Sequence, residues 1–160
     1  MVQSTSQANQ VERIAEQLRR AFSGDAWHGP AVLELLAGVD PKTAASRPIP
    51  GAHSIWEIVE HLSAWEEALT HRIGGRATEL DPEQDWPAVS DTSAAAWKRA
   101  LDTLEQRHAA LIAAVEALPE YRLLNDVPNR EHDFYHMLHG CVQHELYHAG
   151  QIALLKKANA

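Results

Sequence analysis

Apolar residues recur with helical spacing along four long stretches of the chain. In each stretch they return every three or four positions, which places them on one face of an α-helix. The four stretches are Val11 to Phe22, Ile55 to Ile73, Trp97 to Val115 and about His132 to Lys157. Strand-like alternation of useful length and internal repeats do not occur in the sequence. The pattern predicts four long amphipathic helices.

Local signals mark where the predicted helices begin and end. Ser54 and Glu57 form a capping-box pattern just before the second apolar stretch. Thr92 or Ser93 has a side chain suited to cap the third helix, and Pro119 closes it.

The segments between the long helices predict connections and one short helical piece. Residues 31–37 form a short helical segment after the first helix, and 39–51 holds three prolines typical of a connection. Residues 76–91 form a long loop, a kind of segment that is often functional or mobile, and 121–131 is irregular. The sequence therefore predicts an all-α fold, a four-helix bundle with an extra short helical segment, in one domain spanning 1–160.

The charge and the cysteine content narrow the functional class. The formal net charge is -8, and because nucleic acids and anionic membranes attract basic surfaces, we expect neither as a partner. One cysteine, Cys141, excludes an internal disulfide and fits a reducing compartment. The polar segment from Met1 to Asn9 lacks the apolar core of a signal peptide, and no run approaches the ~18 apolar residues of a membrane span. We therefore expect a cytoplasmic protein.

Two histidines, His144 and His148, stand four positions apart in the last predicted helix. This spacing turns both imidazoles to one face on consecutive turns, where one metal ion can bind both. Catalytic ions usually take three protein ligands and keep an open position. His61 is the best third ligand, because an imidazole on the apolar side of the second helix is costly unless it is paired or bound. Imidazole nitrogen suits Zn, Ni, Cu or Fe, and the sequence does not choose among them.

The same segment fits the His-Glu-x-x-His signature of zinc proteases, with Glu145 as the general base. That class takes its third ligand from beyond the motif, and the residues from Ala149 to Ala160 include no His, Asp or Glu. The sequence favours a ligand from upstream instead. Glu145 then has a structural role, or it orients an imidazole N–H beside the metal.

Residues near His61 each have two candidate roles. His53 lies about two turns before it and either lines the mouth of a pocket or precedes the helix cap. Glu57 either completes the capping box or acts as a base or orienting partner near the metal. Trp65 is a core residue by its spacing and can also form an apolar pocket wall. Cys141 is expected as a buried, inert thiol rather than a nucleophile or fourth ligand.

The remaining histidines receive less specific expectations. His108 faces the bundle from the third helix, which suggests a core histidine with a hydrogen-bond partner. His132 and His136 begin the last predicted helix and are expected on plain surface.

Two segments of the chain, 53–62 and 144–152, resemble the DinB/YfiT-like superfamily. The closing string His-Glu-Leu-Tyr-His-Ala-Gly-Gln-Ile is the more specific one, and the resemblance extends over nearly the whole chain. It implies a four-helix bundle with a three-histidine metal site at the matching positions His61, His144 and His148. It also implies zinc or nickel as the metal and a homodimer as a frequent assembly. Relatives include thiol-dependent S-transferases and an isomerase that use a low-molecular-weight thiol, and others are described as hydrolases.

These observations leave three functional hypotheses. The first is a metal-dependent enzyme that activates a thiol or water for transfer to, or hydrolysis of, a small molecule. The second is a non-catalytic bundle held together by its metal, or a binding module of a stress response. The third is a zinc protease, which the missing downstream ligand disfavours. A bundle and a metal site do not by themselves define a reaction.

Overall fold

The computed structural model describes residues 9–159, and within this range the chain forms helices and no β-strand. The predicted all-α four-helix bundle is confirmed, with its extra short helical segment after the first helix. In chain order the α-helices are α1 (Gln10–Phe22), α2 (Val32–Leu36), α3 (Pro41–Ala45), α4 (Ile55–Ile73), α5 (Pro82–Asp85), α6 (Ala94–Glu116) and α7 (Phe134–Ala158). A 3-10 helix, Glu120–Leu124, precedes α7.

Each of the four long helices begins at a side chain that accepts a hydrogen bond from the first turn. Asn9, Ser54, Ser93 and Asp133 are the N-cap residues of α1, α4, α6 and α7. At α4 the capping box is complete, since Ser54 accepts from the Glu57 amide and Glu57 accepts from the Ser54 amide. These caps satisfy N–H groups that have no partner within the helix.

The connecting segments contain more regular structure than the sequence predicts. The connection 39–51 contains α3, whose N-cap Asp40 precedes a proline at the first helical position. The long loop 76–91 contains α5, which begins in the same way at Asp81 and Pro82. An Asp-Pro pair is typical of a helix N-terminus. The prediction that 39–51 and 76–91 contain no helix was therefore wrong at Pro41–Ala45 and Pro82–Asp85.

The bundle core consists of two apolar clusters that follow one another along the helices. Helix α4 packs most extensively on α6 and also contacts α7, while α1 packs on both α6 and α7. The first cluster includes Ile58, Leu62, Trp97, Leu104 and Ile152, and the second includes Leu18, Leu69, Leu111, Val115 and Leu138.

A layer of buried polar side chains lies between these two clusters. Helices α4, α6 and α7 each contribute to both clusters, and between its two contributions each places one side chain in a shared buried polar group. The members of this group are Glu66, His108 and Glu145, whose ligand-type atoms lie within 4.8 Å of one another. We refer to these three residues as the polar layer. Among residues 9–159, no helix has the length and apolarity needed to cross a membrane.

Candidate metal centre

Three imidazoles meet where α4 faces α7. The Nε2 atom of His144 lies 2.9 Å from that of His61 and 3.1 Å from that of His148. Nitrogen ligands about 2.0–2.1 Å from one zinc ion are separated by roughly 3–3.5 Å from each other. The spacing within this triad is therefore suited to a single divalent ion.

The outer nitrogens of two of these rings are held by hydrogen bonds. His61 Nδ1 lies 2.7 Å from the backbone carbonyl oxygen of Asp85, and His148 Nδ1 lies 2.8 Å from Gln151 Oε1. Because these oxygens accept, both Nδ1 atoms donate, and the neutral rings carry lone pairs on Nε2. Such partners orient metal-binding histidines and fix their tautomer. The Nε2 lone pairs of His61 and His148 therefore converge near His144 Nε2. A cation bound between the three nitrogens would remove the repulsion between these lone pairs.

The environment keeps the imidazoles uncharged. Burial, together with the charges that His148 and His61 would carry, lowers the pKa of His144 to about 3. Burial lowers the pKa of His148 to about 4, although the hydrogen bond to Gln151 acts the other way. Burial also lowers the pKa of His61, against the effect of Asp85. Metal ions bind the neutral imidazole, so the uncharged state of the triad at neutral pH is compatible with metal binding.

The loop after α4 returns to cover the triad with Asp85 and Trp86. The Trp86 ring stacks on His61 with ring centroids 3.9 Å apart, and on His53 with centroids 3.6 Å apart. The Asp85 carboxylate accepts a 2.6 Å hydrogen bond from Trp65 Nε1 and lies 3.1 Å from His61 Nδ1. This segment therefore holds the His61 ring by stacking on its face and by accepting its N–H.

Of the other predicted site residues, Trp65 lies next to the triad, His53 contacts it through Trp86, and Glu57 is engaged at the start of α4. His53 reaches the site through Trp86 rather than by touching an imidazole of the triad. Glu57 is engaged at the α4 cap and with Arg47; burial acts to raise its pKa, but the hydrogen bonds from Ser54 and Arg47 prevail and lower it. Trp65 forms a wall, with its ring centroid 5.9 Å from that of His144.

Glu145 points away from the triad into the polar layer. Its Oε1 lies 3.7 Å from His108 Nδ1, and that nitrogen lies 2.9 Å from Glu66 Oε1. Burial raises the pKa of Glu66 and of Glu145 well above the ordinary range. His108 therefore has the hydrogen-bond partner that the sequence leads one to expect, and this partner is Glu66. Cys141 is buried next to Glu145, as expected, and its lack of reactivity stays a prediction. The enclosed position of Glu145 does not suit a protease base that must reach a water molecule.

Among residues 9–159, two groups of side chains have ligand-type atoms within 4.8 Å of one another and could hold a metal ion: the triad and the polar layer. The triad borders a cavity of about 370 Å³ that His144 and Trp65 line, and the lining of this cavity does not include the polar layer. An open coordination position is useful only where a small molecule can enter, so the triad is the candidate functional site.

Sequence reasoning missed Asp85 and Trp86, the residues that hold His61 from outside. The signal was weak but present: a tryptophan between Asp85 and Pro87 in a long loop otherwise poor in large apolar residues. It also assigned His132 and His136 to plain surface, whereas both line the cavity beside His144.

Comparison with known proteins agrees with this geometry. No curated protein and no solved structure shows a significant match to the chain. The family model described as the DinB superfamily matches residues 25–152, a span that includes all three imidazoles of the triad. The chain is therefore a member of the DinB superfamily.

Proposed function

We propose that the protein is a metal-dependent enzyme whose triad, His61, His144 and His148, binds a divalent ion, zinc or nickel. The metal activates either a low-molecular-weight thiol, which is transferred to a small molecule, or a water molecule, which hydrolyses the small molecule. The observation that carries this proposal is the convergence of three Nε2 atoms beside a cavity, with those of His61 and His148 lying 2.9 and 3.1 Å from that of His144.

The chemistry of the donor set supports this function. A divalent ion with three imidazole ligands and an open position acts as a Lewis acid that makes a thiol or water nucleophilic at neutral pH. All three ligands are neutral, so the ion keeps its full positive charge. Three ligands also leave room for a substrate, unlike the closed four-ligand sites of structural zinc.

The residues around the triad orient its imidazole rings and shield the site from water. Asp85 and Gln151 accept the outer N–H groups of His61 and His148, which fixes the direction of the ligand lone pairs. Trp86 covers the face of His61, and Trp65 forms the cavity wall next to His144. An apolar wall beside a charged centre strengthens the electrostatic interactions of any ligand in the cavity.

Elemental analysis of the purified protein tests the triad. We expect about one equivalent of a divalent metal in the wild type and a loss of most of it in His61→Ala. His28→Ala is the matched control, since His28 is exposed and far along the chain from the triad. The assignment fails if the wild type binds no divalent metal, or if His61→Ala retains it as firmly as His28→Ala.

Activity requires a separate test with the metal-loaded protein. We expect a low-molecular-weight thiol to perturb the visible spectrum of the cobalt- or nickel-substituted protein, and a panel of thiols and electrophiles to reveal turnover. The alternative, a metal that only stabilises the bundle, predicts a large fall in melting temperature for His61→Ala with neither spectral change nor turnover.

A further inference from the structure

The cavity beside the triad carries a concentration of basic side chains. Its lining includes Arg72, Arg130, His132 and His136, in a chain whose net charge is -8. Within residues 9–159, the one ion pair that reaches these groups joins Arg130 to Glu79, at 2.7 Å. The side chain of Glu79 is exposed, so solvent weakens that pair.

Arg72 is the least compensated of these groups. It is 4% exposed, yet its guanidinium has one hydrogen bond, from Nε to the Thr78 carbonyl oxygen, and its buried Nη2 has no partner among the described residues. A buried cation without a counter-charge is expensive. The guanidinium also lies over the Trp65 ring, 5.3 Å from its centroid, which offsets part of that cost.

The basic groups are close enough to disfavour one another's charge. Burial and the charge of Arg130 lower the pKa of Arg72, although Glu79 acts the other way. Burial, His136 and both arginines lower the pKa of His132, although Asp133 acts the other way. The repulsion among these groups would be relieved by an anion bound between them.

The rest of the cavity is largely apolar and reaches the triad at His144. Leu69 and Met137 contribute aliphatic surface, and Trp65 lies between the two functional regions, with Arg72 over its ring and His144 at its edge. A ligand held by the arginines therefore extends along an apolar wall toward the imidazoles. The cavity volume of about 370 Å³ suits a small molecule rather than a peptide or a polymer.

We propose that this cavity binds the substrate of the enzyme, and that the substrate is a small organic anion with an apolar body. Its carboxylate or phosphate group is held by Arg72 and Arg130, and its apolar body packs on Trp65, Leu69 and Met137. Planar guanidinium groups are suited to bind either anion through paired hydrogen bonds. The catalytic meaning of this site rests on the proposed function of the triad, whereas the binding itself does not.

Calorimetric titration with three probes of similar shape tests the anion site. Phenylacetate and phenyl phosphate are the anions, and phenylacetamide is the neutral match. We expect at least one anion to bind at least tenfold more tightly than the amide, and the tighter anion identifies the preferred head group. Equal binding of all three probes, or no binding of either anion, overturns the proposal.

Two arginine variants separate a specific site from general attraction. Arg130→Gln should weaken anion binding roughly tenfold or more, which is the effect of losing a charge-assisted hydrogen bond. Arg99→Gln removes the same charge from a longer and more exposed ion pair, with Asp91, outside the cavity lining, and should bind the anion as the wild type does. Equal weakening in both variants overturns the proposal. Arg130 is suited to this test because it is less buried than Arg72, whose replacement threatens the fold.

The variant His61→Ala tests the anion site separately from the proposed function of the triad. It should bind the anionic probe within about threefold of the wild type, since the arginines rather than the metal hold the head group. Loss of anion binding in His61→Ala would show that the anion is a metal ligand and would overturn the anion site. A wild type that binds the anion but contains no metal would refute the proposed function alone.

Discussion

The aromatic stack of Trp86 between His53 and His61 leads to a sharp prediction about Trp86→Ala. The rings are nearly parallel on both sides, with interplanar angles of 6° and 7° and centroid separations of 3.6 and 3.9 Å. A stacked aromatic pair contributes about 0.5–1.5 kcal/mol beyond the burial of its area. Losing two such pairs should reduce the free energy of unfolding by about 1–3 kcal/mol.

The effect of Trp86→Ala should appear in both stability and metal binding. For a chain of this size, 1 kcal/mol corresponds to roughly 2–4 °C in melting temperature, so we expect a fall of roughly 2–12 °C in the metal-free protein. Because Trp86 also holds the ring of His61, a proposed ligand, metal affinity should fall about 10–100-fold, as it does when outer partners of metal ligands are lost. Thermal unfolding and competition with a metal chelator measure the two effects.

Trp27→Ala is the matched control, because Trp27 is fully exposed. Substitutions at such surface positions usually change stability by less than about 0.5 kcal/mol. The reasoning about the stack is wrong if Trp86→Ala melts and binds metal like Trp27→Ala. A loss of stability with unchanged metal affinity would show that Trp86 packs on His61 without positioning it.

Three further predictions concern pH, capping and thiol reactivity. The folded-state pKa values of His144 and His148, about 3 and 4, lie below the ordinary 6.5. As pH falls, these two histidines are therefore protonated first in the unfolded chain, which favours unfolding. The contribution of the two neutral imidazoles to the stability of the metal-free protein is thus present above pH 6.5 and is lost as pH falls toward 4. Urea unfolding across that range should show a smaller loss for His144→Gln than for the wild type. Ser54→Ala should reduce the free energy of unfolding by about 1 kcal/mol, through loss of the α4 cap, and Ser54→Gly, measured in the same urea titration, should cost less. Burial raises the pKa of the Cys141 thiol well above its usual value, so a disulfide reagent should react with it slowly in the folded protein and quickly in urea; equal rates would contradict its buried position.

The long helices and the triad could be predicted from the sequence because both depend on local periodicity. The 3.6-residue spacing of apolar positions defines α4, α6 and α7, and the four-residue spacing of His144 and His148 places two ligands on one face. His61 followed because a polar ring on an apolar stripe requires a partner. In each case the physical rule relates residues on a single helix, which the sequence displays directly.

The outer contacts of the site depend on how separate segments meet, and periodicity contains no such information. The shorter of the two contacts of Asp85 with His61 Nδ1 is made by its backbone carbonyl oxygen, a group that every residue possesses, so the residue type at position 85 does not indicate that contact. His132 precedes the N-cap of α7 and His136 lies in its first turn, so both resemble surface residues in the sequence. Only the structure shows that they line the same cavity as Arg72 and Arg130. Glu145 follows His144 directly, yet the rotation of about 100° per residue turns it into the core instead of toward the metal.

The polar layer has a consequence for how the bundle is assembled. Sliding α4, α6 or α7 by one helical turn, about 5.4 Å, would move Glu66, His108 or Glu145 from its polar neighbours into an apolar cluster. Buried polar groups that match in only one alignment select that alignment over others that an apolar core alone would tolerate. Glu66 lies little more than one turn beyond His61, and Glu145 is the neighbour of His144. We therefore expect the polar layer to fix the position of α4 along α7, so that the imidazoles of the two helices lie at the same level before any metal binds.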